Sequence, residues 1–129
     1  MTEPLKRVRL KTKAETLNFQ AEAVWIGADL LVMIWGGDRP HIGAVAAAQP
    51  RPSLKDPSVT SATASVLAFL GHKEDVLAKM ASEALASALN TNVVVAAGLH
   101  WDNLDEPGIR RVMENARQLI KDLIRKLGT

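Results

Sequence analysis

The most constraining feature of this chain is a change of hydrophobic periodicity part way along the sequence. Apolar and polar side chains alternate with a period of two at 5–13 and 17–25, which is typical of half-buried strands, and residues 30–35 form a short, nearly continuous apolar run. Later, two segments carry apolar side chains at helical spacing, and a short apolar run separates them. Strands followed by helices indicate an α+β domain with a mainly antiparallel sheet.

The patterns predict five or six strands and two long C-terminal helices. We expect strands at 5–13, 17–25, 30–35, 42–48, 62–70 and 93–97, and helices at 72–89 and 106–127. Asp105 is expected to cap the second helix and Pro107 to lie in its first turn. The prolines and serines of 49–60 predict a long loop.

A turn-forming segment follows the third predicted strand and reads Gly36-Gly37-Asp38-Arg39-Pro40-His41. Paired glycines followed by polar residues and a proline are typical of a sharp turn. We therefore predict a hairpin between the strands at 30–35 and 42–48. Small residues at 43–48 predict that a helix, a second subunit or a flat ligand packs close to that strand.

Length, charge and cysteine content limit the classes of protein to which the chain can belong. With 129 residues it has the size of a single domain, taken as 1–129. A net charge of +2 does not predict nucleic-acid binding, and the apolar runs are too short to span a membrane. The chain lacks cysteine, which suits a cytoplasmic location and excludes disulfides and thiolate metal sites.

Two helices with one apolar stripe each can cover only one face of such a sheet. The other face still has to bury apolar side chains, among them Trp25 and Trp35, so we predict either a second sheet layer or a homodimer, and expect the homodimer. Arg7, Arg9, Lys11 and Lys13 recur at every second position and share one face of the first strand. They indicate either a charged edge strand or a phosphate-attracting stripe.

Three histidines lie where predicted elements begin or end, which is where binding sites are often assembled. His41 follows the glycine turn, His72 lies at the start of the first helix and His100 lies at the end of the last strand. With Asp38 or Asp102 they could bind a metal, although no metal-binding spacing is present. His72 and Lys73, at a helix start, could instead hold an anion. We identify no catalytic residue and assign no metal ligand.

Several short blocks resemble the prenylated flavin chaperone, or LpdD-like, family, the small D-type proteins of gallate and hydroxyarylic acid decarboxylase systems. The blocks are 36–45, Pro50-Arg51-Pro52-Ser53, Gly71-His72-Lys73-Glu74-Asp75, and 93–99 running into His100-Trp101-Asp102-Asn103. They occur in the family's order, and the likeness covers about residues 25–125. It implies a fold similar to that of proteasome assembly chaperones, in a domain that tends to dimerise.

The resemblance also implies a function. Such a protein would be an accessory chaperone that helps deliver or mature prenylated FMN for a UbiD-type decarboxylase, and would not be the decarboxylase itself. The cofactor, prenylated FMN or FMN, would meet polar residues of the shared blocks. These candidate cofactor-binding residues are Asp38, Arg39, His41, His72, Lys73, His100, Asp102 and Asn103.

Two alternative functions remain open from the residues. One is a protein-assembly chaperone that binds no small ligand and works through an apolar surface. The other is a small metal-dependent enzyme, which requires His41, His72 and His100 to converge within coordinating distance. An apolar surface lined by Trp35 and the alanine-rich strand at 42–48, without a polar pocket, would favour the first alternative.

Overall fold

A six-stranded sheet forms the centre of the protein, and both helices pack on one of its faces. The computed structural model describes residues 5–69 and 74–128. The strands are β1 (Arg7–Lys11), β2 (Phe19–Ile26), β3 (Asp29–Gly37), β4 (Ala44–Pro52), β5 (Thr60–Ala68) and β6 (Val93–His100), and the helices are α1 (Glu74–Leu89) and α2 (Glu106–Leu127). The predicted α+β class and the two long C-terminal helices are confirmed.

The strand order is β1-β2-β3-β6-β4-β5, and only the β3–β6 pair is parallel. The predicted hairpin between β3 and β4 is therefore wrong, because β6 lies between them and pairs with both. The physical reason is the apolar composition of β6. Val93, Val95 and Ala97 are almost wholly buried, and a central position in the sheet is what buries such a strand.

The prediction of a loop over 49–60 is wrong at both ends. β4 continues to Pro52 and β5 begins at Thr60, which leaves only a turn over 53–59. Beyond Ala48, β4 pairs with β5 but no longer with β6. A proline there can turn its nitrogen towards the unpaired side, so Pro50 and Pro52 are tolerated within the strand.

The helix boundaries follow the sequence prediction where the structure describes them. α1 is described from Glu74, while His72 and Lys73, at its predicted start, and Leu70, at the predicted end of β5, lie outside the described residues. α2 has the predicted bounds. Asp105 caps it by accepting a 2.9 Å hydrogen bond from the Gly108 N–H, with Pro107 in the first turn.

Alternating side chains of the sheet meet the helices in one apolar core. The largest fully buried side chains include Val32 and Ile34 of β3, Leu85 of α1, and Leu119 and Leu123 of α2. Ala44, Ala46 and Ala48 are also buried, and α1 contacts β4 there. Of the three partners expected for this small-residue strand, the helix is the one found on this face.

The opposite side of the sheet carries apolar side chains that neither helix covers. We call this surface the open face. It consists of Leu31, Met33, Trp35, Val45, Leu67, Val94 and Ala96, which the strand register brings side by side. Trp35 lies there as predicted, but Trp25 does not, because it is aligned with buried Leu30 and packs against the core.

The basic stripe lies mainly along an edge strand, as the first of its two interpretations requires. β1 is the first strand of the sheet, and Arg7 and Arg9 flank the Glu22 carboxylate of β2 at 3.2 and 2.9 Å. The Arg9 guanidinium also lies 5.7 Å from the centre of the Trp35 ring. In the described ranges, no helix has the combination of length and hydropathy that crossing a membrane requires.

Candidate functional site

The candidate site lies at the edge of the sheet where the parallel strands β3 and β6 end. Gly37 and His100 are register partners, and the Asp38 N–H donates a 2.6 Å hydrogen bond to the His100 carbonyl oxygen. Gly37 has a φ of 89°, and a Cβ on it would collide with that carbonyl oxygen. Only glycine therefore fits here, because it adopts a positive φ without strain and leaves room for the second chain segment.

From this point the chain crosses the end of β6 to reach β4. The His41 carbonyl oxygen presses against Gly98, where a Cβ would collide with it, and the Gly43 N–H donates a 2.9 Å hydrogen bond to Ala97. The glycine-rich segment interpreted as a hairpin turn is thus a crossing connection. Its polar residues are brought to the end of β6 because the chain must pass over that strand.

His41 connects this crossing to the start of α1. Its Nε2 lies 2.9 Å from the Oε1 atom of Glu74, and its Nδ1 lies 3.0 Å from the Arg39 carbonyl oxygen. A carbonyl oxygen can only accept, so Nδ1 carries a hydrogen, and Nε2 is the nitrogen that faces the carboxylate. The His41–Glu74 pair can therefore hold one proton between a ring nitrogen and a carboxylate oxygen.

Glu74 is a site residue that the sequence analysis does not find. It opens α1, its side chain is 9% exposed, and its Oε1 accepts a 3.3 Å hydrogen bond from the Leu99 N–H of β6. Gly43 leaves the space that its carboxylate occupies. No local spacing could have indicated this role, because an acid in a first helical turn is ordinary and its partners are distant in sequence.

A second histidine pair lies beside the first. The Nε2 of His100 lies 3.0 Å from the Asp102 Oδ1 atom, and the Arg39 guanidinium reaches the same oxygen at 3.7 Å. The Asp102 N–H donates a 3.0 Å hydrogen bond to Asp38. The His41 and His100 rings meet edge to face, with centroids 6.3 Å apart and planes at 75°.

Five of the eight predicted cofactor-binding residues therefore come together. We call the assembled group the rim cluster, and it consists of Asp38, Arg39, His41, Glu74, His100 and Asp102. Asn103 follows in the same exposed turn with a φ of 59°. His72 and Lys73 lie outside the described residues, so the convergence of all three histidines stays a prediction.

The charges of the rim cluster limit what it can bind. Three carboxylates face one guanidinium and two imidazoles, so the described residues do not by themselves favour an anion such as a phosphate. They do offer exposed donors and acceptors for a neutral, polar ligand. Over residues 5–69 and 74–128, no group of three or more side chains is arranged to hold a metal ion.

At least two grooves formed by the described residues lie away from the rim cluster. One, of about 430 Å³, separates β1 from the end of α2 and is lined by Lys11, Lys13, Asp122, Arg125 and Lys126 together with Leu10. Another, of about 530 Å³, lies between β5 and α1 and is mainly apolar. The first groove gathers basic side chains from both ends of the chain, and the lysines of the predicted stripe line it.

Comparisons with known proteins agree with this architecture. A family model described as the prenylated flavin chaperone LpdD-like domain matches residues 13–128. A chain from the crystal structure of a novel chaperone complex for yeast 20S proteasome assembly has a similar fold. The TM-score is 0.58 at 11% identity, over 96% of this chain and 95% of that one. A comparison with curated proteins gives no significant match.

Proposed function

The chain belongs to the prenylated flavin chaperone LpdD-like family, and from this premise we propose that it assists a UbiD-type decarboxylase by delivering or maturing prenylated FMN. It would act in the cytoplasm, as a homodimer and as an accessory protein. The observation that carries the proposal is the family match over 13–128, which includes the whole rim cluster. The likeness to the yeast complex supports the fold alone and carries no argument about the partner or the cofactor.

The rim cluster supports a site for the polar edge of a flavin ring. That edge carries one N–H donor between two carbonyl acceptors, so it is complementary to a carboxylate flanked by donors. Asp102 lies between His100 and Arg39 and has this character. We propose that Asp38, Arg39, His41, His100, Asp102 and Asn103 bind there, with His72 and Lys73 contributing from the adjoining segment.

The flavin phosphate does not fit the described part of the rim cluster, because the carboxylates outnumber the guanidinium. Arg39 is largely exposed, and it would have to bind the phosphate group together with Lys73. Binding of the ring without the phosphate would give a weak, releasable complex. Weak binding suits a protein that passes a cofactor on to an enzyme and does not use it.

Flavin binding is tested by titrating the protein with FMN and with prenylated FMN while following flavin fluorescence. We expect saturable binding of at least one of the two at micromolar concentration, weakened by Asp102→Ala. Lys11→Ala, in the groove between β1 and α2, is the matched control and should bind as the wild type does. If Lys11→Ala weakens binding and Asp102→Ala does not, the flavin site is that groove.

The partner is tested separately by co-purification with a UbiD-type decarboxylase. We expect the two proteins to elute together and the decarboxylase to gain activity when the chaperone is co-expressed. Co-elution without flavin binding would leave the second candidate function, a protein-assembly chaperone without a ligand. The specific observation in favour of that candidate is the open face, whose apolar side chains are available to another protein.

A metal-dependent enzyme is the remaining alternative from the sequence. Within the described residues the histidines contact carboxylates in pairs, and no group of three or more ligands is formed. His72 lies outside those residues, so elemental analysis of the purified protein is the direct test. We expect less than one equivalent of transition metal in any preparation purified without added metal.

A further inference from the structure

The two edge strands of the sheet differ in how they are protected against pairing with another chain. β1, at one edge, has five residues, of which Arg7, Arg9 and Lys11 are charged. β5, at the other edge, has nine residues, and none of them is charged or a proline. Short length, charge and proline are among the usual means by which an edge strand avoids a new partner. β5 uses none of these three.

The backbone of β5 offers hydrogen-bonding groups along its outer side. On the inner side, the Phe69 N–H, just beyond the strand, donates a 2.8 Å hydrogen bond to the Gly43 carbonyl oxygen. Such bonds alternate along an antiparallel pair, so the odd-numbered residues of β5 bond to β4 and the even-numbered ones turn away from it. Ala62, Ala64 and Val66 therefore direct their N–H and C=O groups to the outer side, where the described residues supply no strand.

Arg51 of β4 reaches towards β5 without closing this edge. Its Nε donates a 2.6 Å hydrogen bond to the Thr63 hydroxyl, and its Nη1 donates a 3.0 Å bond to the Pro52 carbonyl oxygen. Thr63 alternates with buried Ala62, which lies under the helices, so the Thr63 side chain lies on the open face. The two bonds hold the guanidinium against that face, which leaves the outer side of β5 accessible to another strand.

The groove between β5 and α1 lies beside this edge, and we call it the edge groove. Its volume is about 530 Å³, and Ala64 and Val66 of β5 line one wall while Val76 and Met80 of α1 line the other. Val76 is 60% exposed, so α1 carries apolar surface past the last strand of the sheet. A strand added about 4.8 Å outside β5 would cover that surface with every second side chain.

The charged side chains of the edge groove distinguish between possible occupants. Asp75, Lys79 and Glu83 of α1 line it, and the Lys79 Nζ atom lies 2.9 Å from the Glu83 Oε1 atom. The described lining therefore has a net negative charge. A second copy paired antiparallel through β5 would bring its own α1, and with it the same acids, which repel. A single extended segment brings no helix, and a basic residue in it would be attracted to Asp75.

We propose that β5 and the edge groove bind an extended segment of a partner protein, which adds a seventh strand to the sheet. The segment alternates apolar side chains, which fill the edge groove against α1, with polar ones, and it carries a lysine or arginine beside Asp75. Main-chain hydrogen bonds to the outer side of β5 provide affinity, and the edge groove provides specificity. The inference goes beyond the proposed function. It uses no residue of the rim cluster, and its test needs neither flavin nor a decarboxylase, so the two can fail independently.

Fluorescence anisotropy of a labelled peptide tests the charge preference on the full chain. The peptide has the length of β5 and alternates valine with threonine between two terminal lysines. We expect saturable binding at micromolar concentration, and several-fold weaker binding of a matched peptide with terminal glutamates. Asp75→Lys should reverse that preference, whereas Glu114→Lys, on the exposed side of α2, should bind both peptides as the wild type does. No saturable binding of either peptide, or equal binding of both by the wild type, would overturn the proposal.

The strand pairing is tested on both partners. Ala64→Pro removes one outward N–H but leaves the hydrogen bonds to β4, so it should weaken peptide binding about tenfold with an unchanged circular dichroism spectrum. Only one side of an added strand pairs with β5, so N-methylation of one alternate set of peptide residues should abolish binding and methylation of the other set should not. Binding that survives both methylations would overturn the proposal. A sedimentation mass that halves in Ala64→Pro would show that a second copy occupies the edge, which would overturn it too.

Discussion

The Nε2 atom of His41 lies 2.9 Å from the Oε1 atom of Glu74, and this contact links the crossing over β6 to the first turn of α1. The two residues are far apart in the sequence and come from a loop and a helix. Glu74 also accepts a hydrogen bond from Leu99, so one carboxylate connects three segments of the chain. The rim cluster is therefore part of the structure that holds α1 in place.

Glu74→Gln is expected to destabilise the protein. The substitution removes the charge that faces His41 from a buried position, which costs about 1–3 kcal/mol of unfolding free energy. Urea denaturation at pH 7 measures the change. Asp75→Asn is the matched control, because Asp75 lies in the same helical turn but is exposed, so it shares only the effect of the helix dipole. Equal losses in both variants would contradict a special role for Glu74.

Gly98→Ala is expected to be more harmful than an alanine at a glycine in open space. The new Cβ collides with the His41 carbonyl oxygen, which is backbone and cannot move aside, so we expect a loss of about 3 kcal/mol. Gly27→Ala is the comparison. Gly27 has a φ of 61° with no atom near its missing Cβ, and alanine there should cost about 1 kcal/mol. Thermal unfolding of both variants measures the two losses. If Gly98→Ala lost no more stability than Gly27→Ala, the segment that crosses β6 would be free to move away from the new Cβ, and the prediction would be contradicted.

Glu22 predicts an acid-dependent part of the stability. Hydrogen bonds from Arg9 and then Arg7 hold the pKa of the Glu22 carboxyl below its ordinary value of 4.5. A carboxyl with a lower pKa in the folded state stabilises the protein above pH 4.5, and this stabilisation is lost as the pH falls through the folded pKa. Urea midpoints between pH 7 and pH 3 should therefore fall less for Glu22→Gln than for the wild type. Exposed Glu15→Gln should follow the wild-type curve.

Asn115 is expected to stabilise the turn before β2. Its buried Nδ2 donates hydrogen bonds to the carbonyl oxygens of Thr16 at 3.2 Å and Leu17 at 3.1 Å, and Leu17 has a φ of 59°. Asn115→Ala leaves both carbonyls without this donor and should cost about 1–2 kcal/mol. Gln118→Ala, on the exposed side of the same helix, is the control. Hydrogen exchange at 14–18 should quicken only in the first variant.

The bounds of α2 could be predicted because every signal for them is local. Asp105, Pro107 and the apolar stripe lie within one segment, and they determine the helix without help from other parts of the chain. The neighbour of β3 could not be predicted in this way. Both β4 and β6 are apolar and of suitable length, and the choice between them depends on burial across the whole sheet.

The candidate site was predictable only in part, for the same reason. His41 and His100 attract notice because they are two of only three histidines and lie at element boundaries, and the fold brings their rings together. The sequence does not indicate Glu74 as a site residue, because the helix dipole already explains a carboxylate in a first helical turn. Gly43 and Gly98 have roles that depend on atoms from other segments, so no spacing in the sequence indicates them.

The position of β6 between β3 and β4 has a consequence for how the chain folds during synthesis. Until residues 93–100 leave the ribosome, β3 and β4 each have an edge with unpaired backbone groups, although most of the strands have already been made. The sheet can therefore be completed only after β6 has been synthesised. A nascent chain that stalls before residue 93 would expose the unpaired edges of two strands. It would then depend on molecular chaperones to avoid aggregation.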